Sequence, residues 1–290
     1  MSTLTITPSD APLGAEIHGV DIAAGVDDAT MAHIRDALHR HKVIVLRDQT
    51  LSPEQHIAFS AYFGQLEPHV LPQYLVPGHQ ELVRLSNVLD DAGRPIGVVD
   101  AGRIWHTDGH FLDKPNMYSI LFAIEVPHDR DGSPLGATRF VNTAYAYAQL
   151  PGAMKQRLQG LQGVNSLAAV YATMQRSNVG SSRAPLTEAQ QREVVHPVIR
   201  THPVTGEKCI YVGKAATSRI VGLTPQESDA LIDELSAWCI RDDTVYNHRW
   251  QVGDLLMWDN CATQHLAVGD YALPQRRLMH RTTLGGSVPF

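Results

Sequence analysis

What this chain lacks narrows its function before any motif is read. Cysteine is scarce: Cys209, Cys239 and Cys261 are an odd number with no C-x-x-C spacing, which argues against a disulfide framework or a zinc knuckle and fits a reducing compartment. No apolar run approaches the roughly 18 residues of a membrane span. The opening MSTLTITPSD has neither a basic nor an apolar leader segment, so no export signal is expected and a cytoplasmic protein is. Excess positive charge is missing too. With 24 Lys+Arg against 30 Asp+Glu, a net charge of -6 and a pI near 6.2, neither nucleic acid nor an anionic membrane is expected as a partner. No repeat, coiled coil, low-complexity tract or Pro/Gly/Ser linker divides the chain. What remains is 290 residues, 43% hydrophobic and 19% charged, the composition of a soluble globular protein long enough to bury a core. We read residues 1–290 as one domain.

Local patterns place the elements. Residues 14–22 (GAEIHGVDI) read as a short strand and 42–48 (KVIVLRD) as a buried one. Residues 28–40 set Met31, Ile34, Ala37 and Leu38 on one helical face. Ser52-Pro53-Glu54-Gln55 and Thr224-Pro225-Gln226-Glu227 are capping boxes, the first opening a helix closed by Gly64, the second a helix reaching about Cys239. Strands are predicted over 81–86 and 117–126, a helix from Thr143 to about Leu161, and a run of strands over the last fifty residues, TVYNHRW, DLLMW, TQHLAV and RRLMHRTTL. Residues 172–193, polar and rich in Ser, Arg and Gly, have loop composition, and a mobile lid is the natural reading. The expected fold class is mostly β with added helices, around a double-stranded β-helix or jelly-roll core.

The chemistry concentrates in Trp105-His106-Thr107-Asp108 and in the distant WDNCATQH, which ends on His265. Two imidazoles and one carboxylate are a donor set for a mononuclear non-haem iron(II), binding one face of the metal and leaving the other open. In a strand, His106 and Asp108 would project to the same side. With 15 histidines in the chain, about one His-x-Asp pair is expected by chance, and a surface or capping pair is the bland reading. His79-Gln80-Glu81 is such a rival, but it lies at a turn entering a strand and nothing downstream completes it.

The tail adds weight. Period two in RRLMHRTTL puts Arg277, Met279, Arg281 and Thr283 on one face, with the two arginine roots about 13 Å apart. Inward arginines are costly unless they meet anions. Internal salt bridges would serve; so would two anionic ligands in one cavity, which the guanidinium fork suits.

At this point the chain resembles the taurine dioxygenase/2,4-dichlorophenoxyacetate dioxygenase family of iron(II)- and 2-oxoglutarate-dependent oxygenases. The matching segments are LGAEIHGVDI, WHTDGHF, GATRF, VVHPVIRTHPVTGEKCIYV, SRIVGLTPQES, WDNCATQH and PQRRLMHRTTLGG, in the family's order over nearly the whole chain. The resemblance implies His106, Asp108 and His265 as iron ligands, and Thr138 and Arg277 as the pair holding the distal carboxylate of 2-oxoglutarate. Arg281 would hold the substrate's sulfonate or carboxylate, beside a pocket histidine, His69. Dioxygen would be the second co-substrate, succinate and carbon dioxide the co-products, and a homo-oligomer the assembly. Asp108 argues for hydroxylation, because related halogenases lack this carboxylate.

The chain also departs from the family pattern. Ala216 replaces a pocket aromatic, Gly102 a polar residue four before the first ligand, and the loop GDYALPQRR is one residue longer. Together these imply a roomier, less polar pocket; Lys214 could add a second cation to it, but a solvated lysine is the simpler reading. Trp258 reads equally as a wall of the metal pocket or a core aromatic. Two other readings stand beside the oxygenase. One is a jelly-roll binding protein that has lost turnover; the other is a zinc hydrolase on the same triad, for which no general base can be named.

Overall fold

The computed structural model describes residues 4–69, 71–179 and 185–290. Sixteen strands and six α-helices are defined among them. The largest sheet runs in the order Thr5–Pro8, Ala15–His18, Val43–Leu46, Leu255–Asp259, Tyr118–Glu125, Leu278–Leu284, His79–Ser86, Leu75–Val76. It therefore joins strands from both ends of the chain. Every pairing in it is antiparallel except that of Ala15–His18 with Val43–Leu46.

Its central strands are apolar on both faces because both are covered. Ile44, Leu46, Ile120, Phe122, Leu255 and Met257 pack with Met31, Ile34, Leu38 and Phe59, which the helices Asp28–His41 and Pro53–Ala61 bring to one face. The alternate residues Val43, Val45, Leu121, Leu256, Trp258 and Met279 pack with Phe140 and Trp250 on the other. Phe140 belongs to a small sheet in the order Tyr246–His248, Thr138–Asn142, Thr263–Ala267. Period two thus assigns each residue of Leu278–Leu284 a side: Thr282 meets Ser60 under the helix at 2.7 Å, while Met279 and Arg281 face the small sheet. Two further small sheets complete the β structure, one of Thr217–Ile220, Gln162–Ser166 and Glu193–Pro197, the other of Ile199–Thr201 and Lys208–Ile210.

Both capping boxes are formed, Ser52 with Gln55 and Thr224 with Glu227. Three expectations are corrected. The helix expected from Thr143 to Leu161 is two, Thr143–Ala148 and Gly152–Leu158, because Pro151 brings no N–H and disfavours a helical Leu150. The strand expected over 14–22 ends at His18, where Gly19 turns with φ 81°. The loop expected over 172–193 holds regular elements among its described residues. Ala172–Arg176 finishes the helix Leu167–Arg176, capped by Ser166, Ala189–Gln191 is a 3-10 turn and Glu193 opens a strand. The apolar LAAVYATM carries that helix beyond the point where the polar composition begins. Residues 180–184 of the lid reading lie outside the described residues. Among those described, no helix is long and apolar enough to cross a membrane.

Candidate active site

His106 and Asp108 reach one point by a route other than a strand. His106 forms an isolated antiparallel bridge with His265, each backbone N–H donating to the other's carbonyl at 3.0 and 2.8 Å. That bridge sets the two imidazole centroids 4.1 Å apart. The chain then turns at Gly109, whose φ of 68° and contact with Asn116 leave no room for a side chain, and the turn returns Asp108 to the histidines. Asp108 Oδ1 lies 3.6 Å from His106 Nε2 and 3.9 Å from His265 Nε2. One donor atom from each residue falls within 4.8 Å of the others. Gly102 has a local reason as well, since a Cβ there would lie 3.2 Å from His106 Cε1.

A second layer orients these donors. Ser119 Oγ–H donates to Asp108 Oδ2 at 2.7 Å, and Asn260 Nδ2 donates to Ser119 Oγ at 3.0 Å. Asn260 Oδ1 in turn accepts from Trp258 Nε1 at 3.0 Å and from the Asp108 amide at 3.3 Å. His106 Nδ1–H donates to the Ile104 carbonyl at 2.8 Å, so its Nε2 lone pair faces the cluster. His265 is positioned by packing, between Trp258 at 4.9 Å and Phe140 at 5.7 Å. Trp258 is therefore both a core aromatic and a wall of the site. Ser119 carries no sequence signal, and only the register that sets it opposite Trp258 reveals it; Asn260 lies within WDNCATQH, but its role shows only in the fold.

The electrostatics suit a divalent metal. Burial, reinforced by neighbouring His106, holds His265 far below the usual histidine range, so it is neutral, the ligating form. Burial would raise Asp108, but the charge of Arg281, first among the opposing causes, holds its carboxyl well below the usual carboxylate range. Two imidazoles and one oriented carboxylate are a fitting donor set for a metal that accepts mixed nitrogen and oxygen ligands.

Thr138 and Arg277 meet at Trp250. Trp250 Nε1 donates to Thr138 Oγ1 at 3.0 Å, and the Arg277 guanidinium carbon lies 6.0 Å from the Trp250 ring. Arg277 is 5% exposed, and its Nε has no partner among the described residues. It also lies just outside the ladder, which begins at Leu278 with a register shift before Met279. Its backbone is fixed instead by Asn87, whose Oδ1 accepts from the Arg277 amide at 2.8 Å.

Arg281 and His69 meet beside Asp108. Arg281 Nη1 lies 3.3 Å from Asp108 Oδ1, and Nη2 lies 3.5 Å from His69 Nε2. Burial, then the charge of Arg281, push His69 down to about 4. The neutral ring accepts from the Leu71 amide at Nδ1, so its proton sits on Nε2. Two donors therefore face each other across 3.5 Å, a geometry that an acceptor between them would satisfy.

Other candidates fall elsewhere. Lys214 pairs with Asp233 at 2.7 Å on the surface, as a solvated lysine does, rather than serving as a second pocket cation. His79 pairs with the exposed Glu54. A second group, His202, Asp259 and Cys261, also has metal-ligand spacing. However, His202 Nε2–H donates to Asp259 at 2.7 Å, while Nδ1 accepts from the amides of Val204 and Thr205. With both ring nitrogens engaged, this is a structural knot.

Residues 5–283 match the family described as taurine catabolism dioxygenase TauD, TfdA family. The chain belongs to this family and is an α-ketoglutarate-dependent dioxygenase. It is 33% identical to the α-ketoglutarate-dependent sulfate ester dioxygenase of Pseudomonas putida, over 99% of this chain and 91% of that one. It is also 33% identical to pentalenolactone F synthase of Streptomyces arenae, over 96% and 94% of the two chains. Among solved structures, a taurine dioxygenase from Burkholderia xenovorans superposes with a TM-score of 0.80 at 34% identity, covering 99% of this chain and 90% of that one.

Proposed function

We propose that this chain is an iron(II)- and 2-oxoglutarate-dependent dioxygenase that hydroxylates an aliphatic C–H of a small anionic substrate. Carboxylates, sulfonates and aryloxyalkanoates are the classes that fit, with succinate and carbon dioxide as co-products. His106, Asp108 and His265 would hold the iron, and Thr138 and Arg277 the distal carboxylate of 2-oxoglutarate. Bound together, the metal and 2-oxoglutarate supply the oxidising power by activating dioxygen.

The residues of the chain bind, orient and exclude. Ser119 and Asn260 fix the Asp108 carboxylate, and the Ile104 carbonyl fixes the His106 tautomer. Trp258, Phe140 and Trp250 wall the site against water. Arg281 and His69 place the substrate's anion beside the metal, so that the remainder of the substrate lies over the open face. The observation that carries this reading is the pair of opposed donors, Arg281 Nη2 and His69 Nε2, 3.5 Å apart and next to Asp108. We also propose the jelly-roll description for the packed sheets, one catalytic domain for residues 1–290, and a homo-oligomeric assembly. A sheet that draws its strands from residues 5 to 284 supports the single domain.

The test is succinate formation from 2-oxoglutarate with iron(II), stimulated by a panel of carboxylates, sulfonates, sulfate esters and aryloxyacids. Stimulation by at least one anion in wild type, lost in Arg281→Gln, is expected. Stimulation that survives in Arg281→Gln would sink the assignment of Arg281.

A further inference from the structure

Two residues near the proposed 2-oxoglutarate site have no part in the account above. Tyr271 stands in the loop between the strands Thr263–Ala267 and Leu278–Leu284, held where Asp270 Oδ1 accepts from the Gly136 amide at 2.7 Å. Arg103 lies three residues before His106. Its guanidinium carbon is 5.0 Å from the Tyr271 ring centroid, and that of Arg277 is 5.9 Å from the same ring. One aromatic ring therefore contacts two guanidinium groups.

Neither cation has a carboxylate within ion-pair distance among the described residues, in contrast to Arg276, which pairs with Glu125, and Arg281, which meets Asp108. Burial draws the Arg277 guanidinium below its ordinary value, the Tyr271 phenol offsets part of this, and the charge of Arg103 adds to the fall. Like charges gathered in a partly dry place raise the free energy of the site until an anion joins them. Arg103 also lines a cavity of about 570 Å³ with Asp100, Leu266, Ala267 and Gly269. Its side chain lies flat against Gly269, where any Cβ would collide with the guanidinium. The glycine makes room for this arginine.

We propose that Arg103 is a second guanidinium of the co-substrate site, acting with Arg277 across Tyr271 on the distal carboxylate of 2-oxoglutarate. The inference rests on the reading of Arg277 given under Proposed function. It assigns Arg103 a role in selecting a dianionic keto acid over a monoanionic one, because the second charge is felt only by a ligand with a carboxylate at that end.

The test is anaerobic calorimetric titration of Mn(II)-loaded protein with 2-oxoglutarate and with 2-oxopentanoate, which lacks the distal carboxylate. In Arg103→Met the Kd for 2-oxoglutarate should rise about tenfold, the worth of one charge-assisted contact. The Kd for 2-oxopentanoate and the Mn(II) affinity should stay at their wild-type values. Gly269→Ala, which displaces the same guanidinium without removing it, should act in the same direction.

Two outcomes overturn the proposal while leaving Arg277 in place. One is 2-oxoglutarate binding within twofold of wild type in both variants while Arg277→Met binds far more weakly. The other is an equal loss for both keto acids, which marks a structural role. If wild type itself does not prefer 2-oxoglutarate to 2-oxopentanoate, the reading of Arg277 fails, and this inference with it.

Discussion

Asp108 is held at three points. Ser119 takes one carboxylate oxygen, Arg281 and the imidazoles face the other, and Asn260 accepts from its amide. Partners of this kind set the direction and basicity of a ligand, and losing one commonly costs 10–100-fold in metal affinity. Ser119→Ala should therefore weaken metal binding by about that factor with little change in fold, as measured by Mn(II) titration; unchanged affinity would remove Ser119 from the site. Gly109→Ala should be harsher. A side chain there meets a left-handed φ and Asn116 together, so we expect a loss of about 2 kcal/mol in denaturant unfolding, with metal affinity falling alongside. Much of the grouping at this scale was legible: the structure sets His106, Asp108 and His265 side by side, Arg281 next to Asp108 and His69, and Thr138 and Arg277 each against Trp250. Their supports were not, because Ser119 gains meaning only from strand register and Asn260 only from the turn that brings it to Ser119 and Asp108. Arg103 and Lys214 show the same limit, since their directions depend on neighbours distant in the chain.

At the scale of elements, capping chemistry was the most readable feature, because Ser52 and Thr224 act on backbone within three residues. Thr224→Ala should cost about 1 kcal/mol of stability, read as a lower denaturation midpoint. The break at Pro151 was equally local, yet the apolar pattern on either side concealed it. The helix Pro53–Ala61 also carries a pH dependence. His56 is buried between it and the strand Leu278–Leu284, and burial, with a smaller effect of His280, lowers it from 6.5 to about 3. Between those values the unfolded chain binds a proton that the folded chain does not. Its contribution to stability is complete above about pH 6.5 and falls as pH drops toward 3, at about 1.4 kcal/mol per pH unit. Urea unfolding between pH 7 and 4.5 should show this decline, and His56→Leu should flatten it by one proton's worth. An unchanged slope in the variant would place the acid sensitivity elsewhere.

Over the whole molecule, the proposed active site is a product of two sheets meeting. The large sheet supplies Asp108's partner Ser119, Trp258 and Arg281, and the small one supplies His265 and Thr138. Single-strand periodicity could assign inward faces but not the crossing of the sheets, so the triad's geometry was inferable only through resemblance. The bridge that joins His106 to His265 spans 159 positions of sequence, beyond any local rule. The account stands on those three residues binding one metal that chelates 2-oxoglutarate. Its most direct test is anaerobic titration of iron(II) and 2-oxoglutarate into the apoprotein, watching the weak visible charge-transfer band of the chelate in wild type and in His106→Ala. The account requires the band in wild type and its loss in the variant. A wild-type protein that gives no band, or a variant that keeps it, would contradict it.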